Sequence, residues 1–294
     1  MSIQKVAHVE VRVPELTPAV EFHTEVLGLT EIAREGDTVY LGCGLDETYD
    51  IALTAGGTGV SHIGLQTVDE DLPAYRERLS SMGVSFEERT NGEPGQGTAL
   101  RFTAPSGHVF EVTTLEDRRV YLHQTSGSKP SGTGVAPSDL DHVTLRTGDV
   151  KALAEFLSQA VDFKVSDVFE PGPGVWAAAW TRAGEYHHDV AMMMGAPDET
   201  LDHVAWTMDG LDHMKRAADL LSRADVPLET GPGRHGIGGN LFAYFWAPGG
   251  NRYELSAEMP RTVDPHAPHN VWNDFPKAFS AWGQQPPESF GHGS

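Results

Sequence analysis

The chain has 294 residues, enough for about two domains. Its formal charge of −21 repels phosphate backbones and anionic membrane surfaces, which argues against nucleic acid or a membrane as a partner. The single cysteine, Cys43, rules out a disulfide framework and thiolate-rich zinc sites, no apolar run approaches the ~18 residues of a membrane span, and MSIQKVAHVEV lacks a signal-peptide core, so a cytoplasmic protein is expected. Cys43 itself reads as a small, half-buried strand residue.

Four segments share one grammar: an alternating strand, a polar turn, an amphipathic helix, then several strand-like runs. The first opens with KVAHVEVRV at Lys5. There Thr17-Pro18 supplies an N-cap and a first-turn proline, Ala19, Val20, His23 and Val26 recur at helical spacing, and Gly28 closes the helix. The second opens with SHIGLQTV at Ser61, with a helix expected from Leu72 to Met82. The third opens with LDHVTLRT at Leu140, and its helix from Val150 to Ala160 lays Leu153, Phe156, Leu157 and Ala160 on one stripe. The fourth opens with LDHVAWTM at Leu201 and continues into a helix from Leu211 to Ala224. In the third opening strand His142 and Thr144 share one face while Val143 and Leu145 share the other, as in a strand buried on one side and lining something polar on the other.

Ala104-Pro105-Ser106-Gly107-His108-Val109-Phe110-Glu111 parallels Ala247-Pro248-Gly249-Gly250-Asn251-Arg252-Tyr253-Glu254, so the repeat is a pair of pairs. The expected fold is α+β: four βαβββ modules paired into two domains, each an incomplete mixed-sheet barrel around a cavity. The domains are placed at 1–124 and 138–258, joined by a Gly/Ser/Pro/Thr-rich linker at 125–137. The tail, 259–294, is irregular and rich in Pro, His and Trp. It is expected to fold back over the second half as a lid containing Val271-Trp272-Asn273, with Gly291 to Ser294 disordered.

Most of the 14 histidines need no special role; His213, for example, reads as solvated. His142, His203 and Glu254 differ. The two histidines hold equivalent positions on the opening strands of the third and fourth modules, and Glu254 lies on the last strand of the fourth. Two neutral imidazoles and a carboxylate leave half of an octahedral shell free, the facial arrangement of non-haem iron(II) oxygenases. Taken alone, this set also suits isomerases, thiol transferases and epoxide-opening enzymes.

The run from Gly233 to Glu254, GRHGIGGNLFAYFWAPGGNRYE, discriminates among them. It resembles the signature of type I extradiol dioxygenases of the vicinal oxygen chelate superfamily, with His235, Tyr244, Pro248 and Glu254 in register and Ala243 where a larger apolar residue is usual. The four-module layout extends the resemblance over nearly the whole chain. It implies the glyoxalase/bleomycin-resistance/dioxygenase fold and meta cleavage of an aromatic diol by dioxygen at a mononuclear Fe(II) centre, with Mn(II) the alternative ion. It further implies His142, His203 and Glu254 as ligands, His188 rather than its neighbour His187 as acid/base, His235 and Tyr244 as hydrogen-bonding partners of the diol, and a homo-oligomer, tetrameric by analogy. A glyoxalase-like isomerase and a non-catalytic ligand-binding protein are the contrasting readings.

The first half repeats the ligands as His8, His62 and Glu111 but not the machinery. Arg101 stands where Tyr244 would be, Tyr49 stands where His188 would be, and no histidine matches His235. That half is expected to be structural, with a second metal the alternative. Trp180, Thr144 and Thr230 are the candidate substrate contacts. The tail and the Gly231 to Gly236 run look closest to homoprotocatechuate 2,3-dioxygenases. Those enzymes place an arginine where Thr230 stands, and their tail arginines are replaced here by the stretch Ala278, Phe279 and Ser280. A carboxylate would be poorly paired in such a pocket, which favours a neutral catechol, plain or alkyl-substituted, over a carboxylated diol, with a fused or biaryl diol as the alternative. Trp246, Tyr253 and Trp272 read as packing residues.

Overall fold

The computed structural model describes residues 2–44, 48–116, 133–264 and 266–294. Residues 125–132 of the expected linker fall outside that range. In the first half, strands β1 (Lys5–Val13), β2 (Thr30–Glu35), β3 (Thr38–Gly42), β4 (Ile51–Ala55), β5 (Val60–Gln66), β6 (Phe86–Thr90), β7 (Gln96–Thr103) and β8 (Val109–Leu115) form one sheet in the order β2-β3-β4-β1-β5-β8-β7-β6. In the second, β9 (Leu140–Thr147), β10 (Lys164–Phe169), β11 (Ala178–Arg182), β12 (Val190–Met194), β13 (Leu201–Thr207), β14 (Leu228–Arg234), β15 (Leu241–Trp246), β16 (Arg252–Ala257) and β17 (Asn270–Trp272) form another in the order β14-β15-β16-β13-β9-β12-β11-β10-β17. Each sheet joins two modules through an antiparallel pair of opening strands, β1 with β5 and β9 with β13. Each opening strand is parallel to the last strand of its own module, as β9 is to β12 and β13 to β16. The expected α+β architecture of two curled mixed sheets is the one observed.

The helices are α1 (Leu16–Glu21), α2 (Leu72–Ser81), α3 (Val150–Val161), α4 (Leu211–Arg223) and α5 (Phe275–Phe279). In α3 the stripe of Leu153, Phe156, Leu157 and Ala160 is buried, and Asp149 caps the helix by accepting from the Ala152 amide at 2.9 Å. The expected cap of α1 is corrected: the N-cap is Glu15, two residues before Thr17, and the helix runs on into a π-helical turn at Phe22–Val26. That wider turn serves a contact across the halves. The His23 Nδ1–H donates to the Ala19 carbonyl at 2.6 Å, and Nε2 accepts from the Tyr253 hydroxyl at 2.6 Å. Burial pushes the His23 pKa down to about 4, so the ring is neutral, as an acceptor must be.

Three local expectations are overturned. Cys43 is fully buried, just past the end of β3. His213 is buried rather than solvated, with Nε2 at 2.6 Å from the Val135 carbonyl, because the amphipathic face of α4 turns it inward. The segment from Gly291 to Ser294 is not disordered: Ser294 and Leu201 exchange two backbone hydrogen bonds of 2.7 Å. The cause lies beneath the tail. Two buried guanidinium groups need acceptors, and tail carbonyls supply them. Arg146 donates to Phe290 at 2.6 Å, and Arg252 donates to Ser289 at 2.7 Å and His292 at 2.9 Å. Among the described residues, no helix is long and apolar enough to cross a membrane.

Candidate metal centre and active site

Strand register assembles the centre. Ala205 on β13 is paired with His142 on β9 and with Glu254 on β16, and Glu254 with Tyr244 on β15. Side chains of paired residues emerge on one face, so these four form a row. Two residues away along β13, His203 is paired with Thr144, which continues through Ala191 to Trp180. The small Ala205 and Ala191 leave room in front of the longer side chains. The His142 and His203 Nε2 atoms lie 3.3 Å apart, and Glu254 Oε2 lies 3.3 and 3.0 Å from them. All three residues are buried.

The arrangement fits a divalent ion. His142 Nδ1 faces Asp141 at 2.7 Å, and His203 Nδ1 faces Asp202 at 2.7 Å. Each Nδ1–H therefore donates to a carboxylate, and both Nε2 lone pairs converge on Glu254. Three acceptors aimed at one point require a cation, and the spacing of about 3 Å is that of adjacent ligands on a first-row ion. A proton is the competing occupant. Burial opposes charge on His142, but bonds to Asp141 and Glu254 outweigh it and raise its pKa to about 9. Below that pH the ion must displace one proton. Metal affinity is therefore expected to rise about tenfold per pH unit between pH 6 and 8, measured by competition titration with Mn(II). A flat profile would contradict the assignment.

Glu254 is held well below the usual carboxylate range: burial opposes this, while the adjoining imidazoles of His142 and His203 outweigh it. Asn240 Nδ2 donates to its other oxygen at 3.2 Å. Asp202, also lowered, accepts from His203 between Arg146 at 2.5 Å and Arg252 at 3.4 Å.

The centre opens onto a cavity of roughly 50 Å³. Its polar end carries His188, His235 and Tyr244, and its apolar end Trp180, Met193, Ile237, Phe275, Phe279 and Phe290. Thr144 also lines it; among the described residues no lysine or arginine does. Thr230 is paired with Tyr244 but does not line the cavity, because β14 shifts register on both sides of it. Ala278 and Phe279 form the lid where Trp272 was expected; Trp272 instead lies in β17, paired with Phe169 on β10.

Two hydrogen-bond chains fix the proton positions. His235 Nδ1 meets the Phe279 carbonyl at 2.7 Å and must donate to it, so Nε2 accepts from the Tyr244 hydroxyl at 2.9 Å. His187 Nε2 meets Asp167 at 3.0 Å, and its Nδ1 meets His188 Nδ1 at 2.9 Å. With Nε2–H committed to Asp167, His187 accepts from His188 Nδ1–H. That leaves a lone pair on His188 Nε2, beside a ring whose centroid lies 4.2 Å from that of His142. His187 thus supports its neighbour rather than competing with it. The supporting residues Asp141, Asp202 and Asn240 were not singled out from sequence, and His187 was named only as the alternative to His188. One signal did exist, the repeated Leu-Asp-His-Val that opens both modules.

A family profile described as Glyoxalase/Bleomycin resistance protein/Dioxygenase superfamily matches residues 5–112 and 139–255. The chain belongs to this superfamily. Among superfamily relatives, it is 32% identical over 288 residues to the manganese-dependent 2,3-dihydroxybiphenyl 1,2-dioxygenase of Geobacillus genomosp. 3, covering 92% of this chain and 90% of that protein. It is 27% identical over 297 residues to metapyrocatechase of Geobacillus stearothermophilus, covering 95% and 89%. The anaerobic substrate complex of homoprotocatechuate 2,3-dioxygenase from Brevibacterium fuscum with 3,4-dihydroxyphenylacetate superimposes with a TM-score of 0.84 at 25% identity, over 98% of this chain and 91% of that one.

Proposed function

We propose that the protein is an extradiol dioxygenase that opens a catechol-type ring to a 2-hydroxymuconic-semialdehyde-type product, incorporating both atoms of dioxygen. His142, His203 and Glu254 hold Fe(II), with Mn(II) the alternative, and His188, His235 and Tyr244 are the catalytic residues. The observation that carries this reading is one buried face on which a carboxylate-supported His/His/Glu set meets two separate proton-handling groups. When bound, the ion would supply Lewis acidity and a path for charge between an electron-rich diol and dioxygen.

The protein's own groups manage the protons. Burial and the charge of Glu254 push the Tyr244 pKa well above its ordinary value, so its hydroxyl is a donor. It can turn from His235 to an incoming diol oxygen, and His235 Nε2 is then free to take a diol proton. Burial and the neighbouring His142 and His187 push the His188 pKa well below the ordinary histidine value. His188 is accordingly a neutral base that would accept a proton from the substrate side and could return it later in the reaction. Trp180 and Thr144 contact the ring, and Thr230 backs Tyr244. The N-terminal half is non-catalytic, and the proposal extends to a cytoplasmic homo-oligomer, tetrameric by analogy.

The test is anaerobic loading with Fe(II), addition of catechol and oxygen, and detection of the yellow semialdehyde. Absence of product from every diol tried, with one ion bound per chain, would sink the reading. The uncharged apolar end of the cavity sets a second expectation. Catechol and alkylcatechols should exceed homoprotocatechuate in kcat/KM by about five- to 150-fold, since a buried carboxylate without a partner costs on the order of 1–3 kcal/mol. Equal values would require a cation that the cavity lining lacks.

A further inference from the structure

The first sheet repeats the metal-binding row residue for residue. His8 and Glu111 flank Gly64 on β5 as His142 and Glu254 flank Ala205, and His62 is paired with Glu10 as His203 is with Thr144. His8 Nε2 lies 3.2 Å from His62 Nε2 and 3.0 Å from Glu111 Oε1. Gln96 donates to Glu111 as Asn240 does to Glu254. Tyr49 stacks on His8 at 4.5 Å, on the side where His188 meets His142. Glu93 adds a fourth donor, 3.5 Å from His8 Nε2 and 3.4 Å from His62 Nε2. All four residues are buried.

One exchange separates the two sites. Where the second half sets the neutral pair His235 and Tyr244 beside its glutamate, the first sets an ion pair, Glu93 and Arg101. Arg101 is paired with Glu111 as Tyr244 is with Glu254. Its Nη2 lies 2.5 Å from Glu93, 2.7 Å from Glu111 and 3.1 Å from His62 Nε2, touching three of the four potential ligands. A divalent ion placed among the same atoms would adjoin the guanidinium, a repulsion that burial magnifies.

We propose that the first half holds a latent divalent-metal site, formed by His8, His62, Glu93 and Glu111, which Arg101 keeps closed by serving as the resident cation. The site would accept a first-row ion that favours imidazole and carboxylate ligands, such as Mn(II) or Co(II). It has no open machinery for a diol, since Tyr49 is hydrogen-bonded to Glu93 and Arg101 fills the approach.

Metal content per chain, measured on the full-length protein after saturation with Mn(II) and removal of unbound ion, tests this. Each variant is compared with its own parent, so the result is independent of what the second half binds. Arg101→Met is expected to add one ion per chain, and Glu111→Gln placed on top is expected to cancel the gain. Glu93→Gln/Arg101→Gln removes both partners of the ion pair, avoids a stranded carboxylate and leaves a His/His/Glu set; it should show the same gain. No gain in either variant overturns the latent site. A wild-type ion that is lost on Glu111→Gln alone overturns the closure by Arg101.

Discussion

Replacing His188 with glutamine is expected to lower kcat for ring cleavage by about 10²–10⁴ while metal content stays at the wild-type level. The side chain is nearly isosteric over its polar end and can still donate to His187 Nδ1, which His188 contacts at 2.9 Å. It cannot carry a proton between two oxygens. His188 stands apart from the converging atoms of His142, His203 and Glu254, so the ion should remain. Steady-state rates and metal analysis on the same preparation check both halves of the statement. A variant within threefold of wild type would remove His188 from the chemistry. Loss of rate together with loss of metal would show a structural role instead.

Asp202→Asn is expected to cost about 3–5 kcal/mol of stability in the metal-free protein and about 10–100-fold in metal affinity. Asp202 is wholly buried and is the anion between three groups: His203 at 2.7 Å, Arg146 at 2.5 Å and Arg252 at 3.4 Å. Arg252 retains Glu229 at 2.8 Å, but Arg146 is left with carbonyls alone for acceptors. The amide also accepts less strongly from His203 Nδ1–H, which makes Nε2 a poorer ligand. Denaturant unfolding with and without Mn(II) separates the two effects. A change below about 1 kcal/mol would mean that the tail carbonyls suffice to hold Arg146.

The repeat, the mixed sheets and the converging ligands were legible because each rests on a local pattern. Alternation along LDHVTLRT and LDHVAWTM sets the face of His142 and His203, and equivalence between modules sets their level in the sheet. What supports them was less legible because it is non-local. Nothing near Asp202 in sequence announces Arg252, 50 positions away, and nothing near His213 announces the Val135 carbonyl. The tail was misjudged for the same reason. A Gly-His-Gly-Ser ending has no intrinsic order, and its position comes from acceptors that Arg146 and Arg252 require and from backbone groups of Thr200 and Leu201 at the start of β13. The displaced cap of α1 reflects a contact made on the other half, where the π turn carries His23 to Tyr253.

The strap that closes the cavity and the aspartate that steadies His203 draw on the same two guanidinium groups. A displacement of the segment around Phe290, which lines the cavity, would take carbonyls away from Arg146 and Arg252. Those cations then pull harder on Asp202 and weaken its hold on the imidazole. Access past Phe290 and the support of His203 are therefore coupled through Arg146 and Arg252, which touch both the tail carbonyls and Asp202.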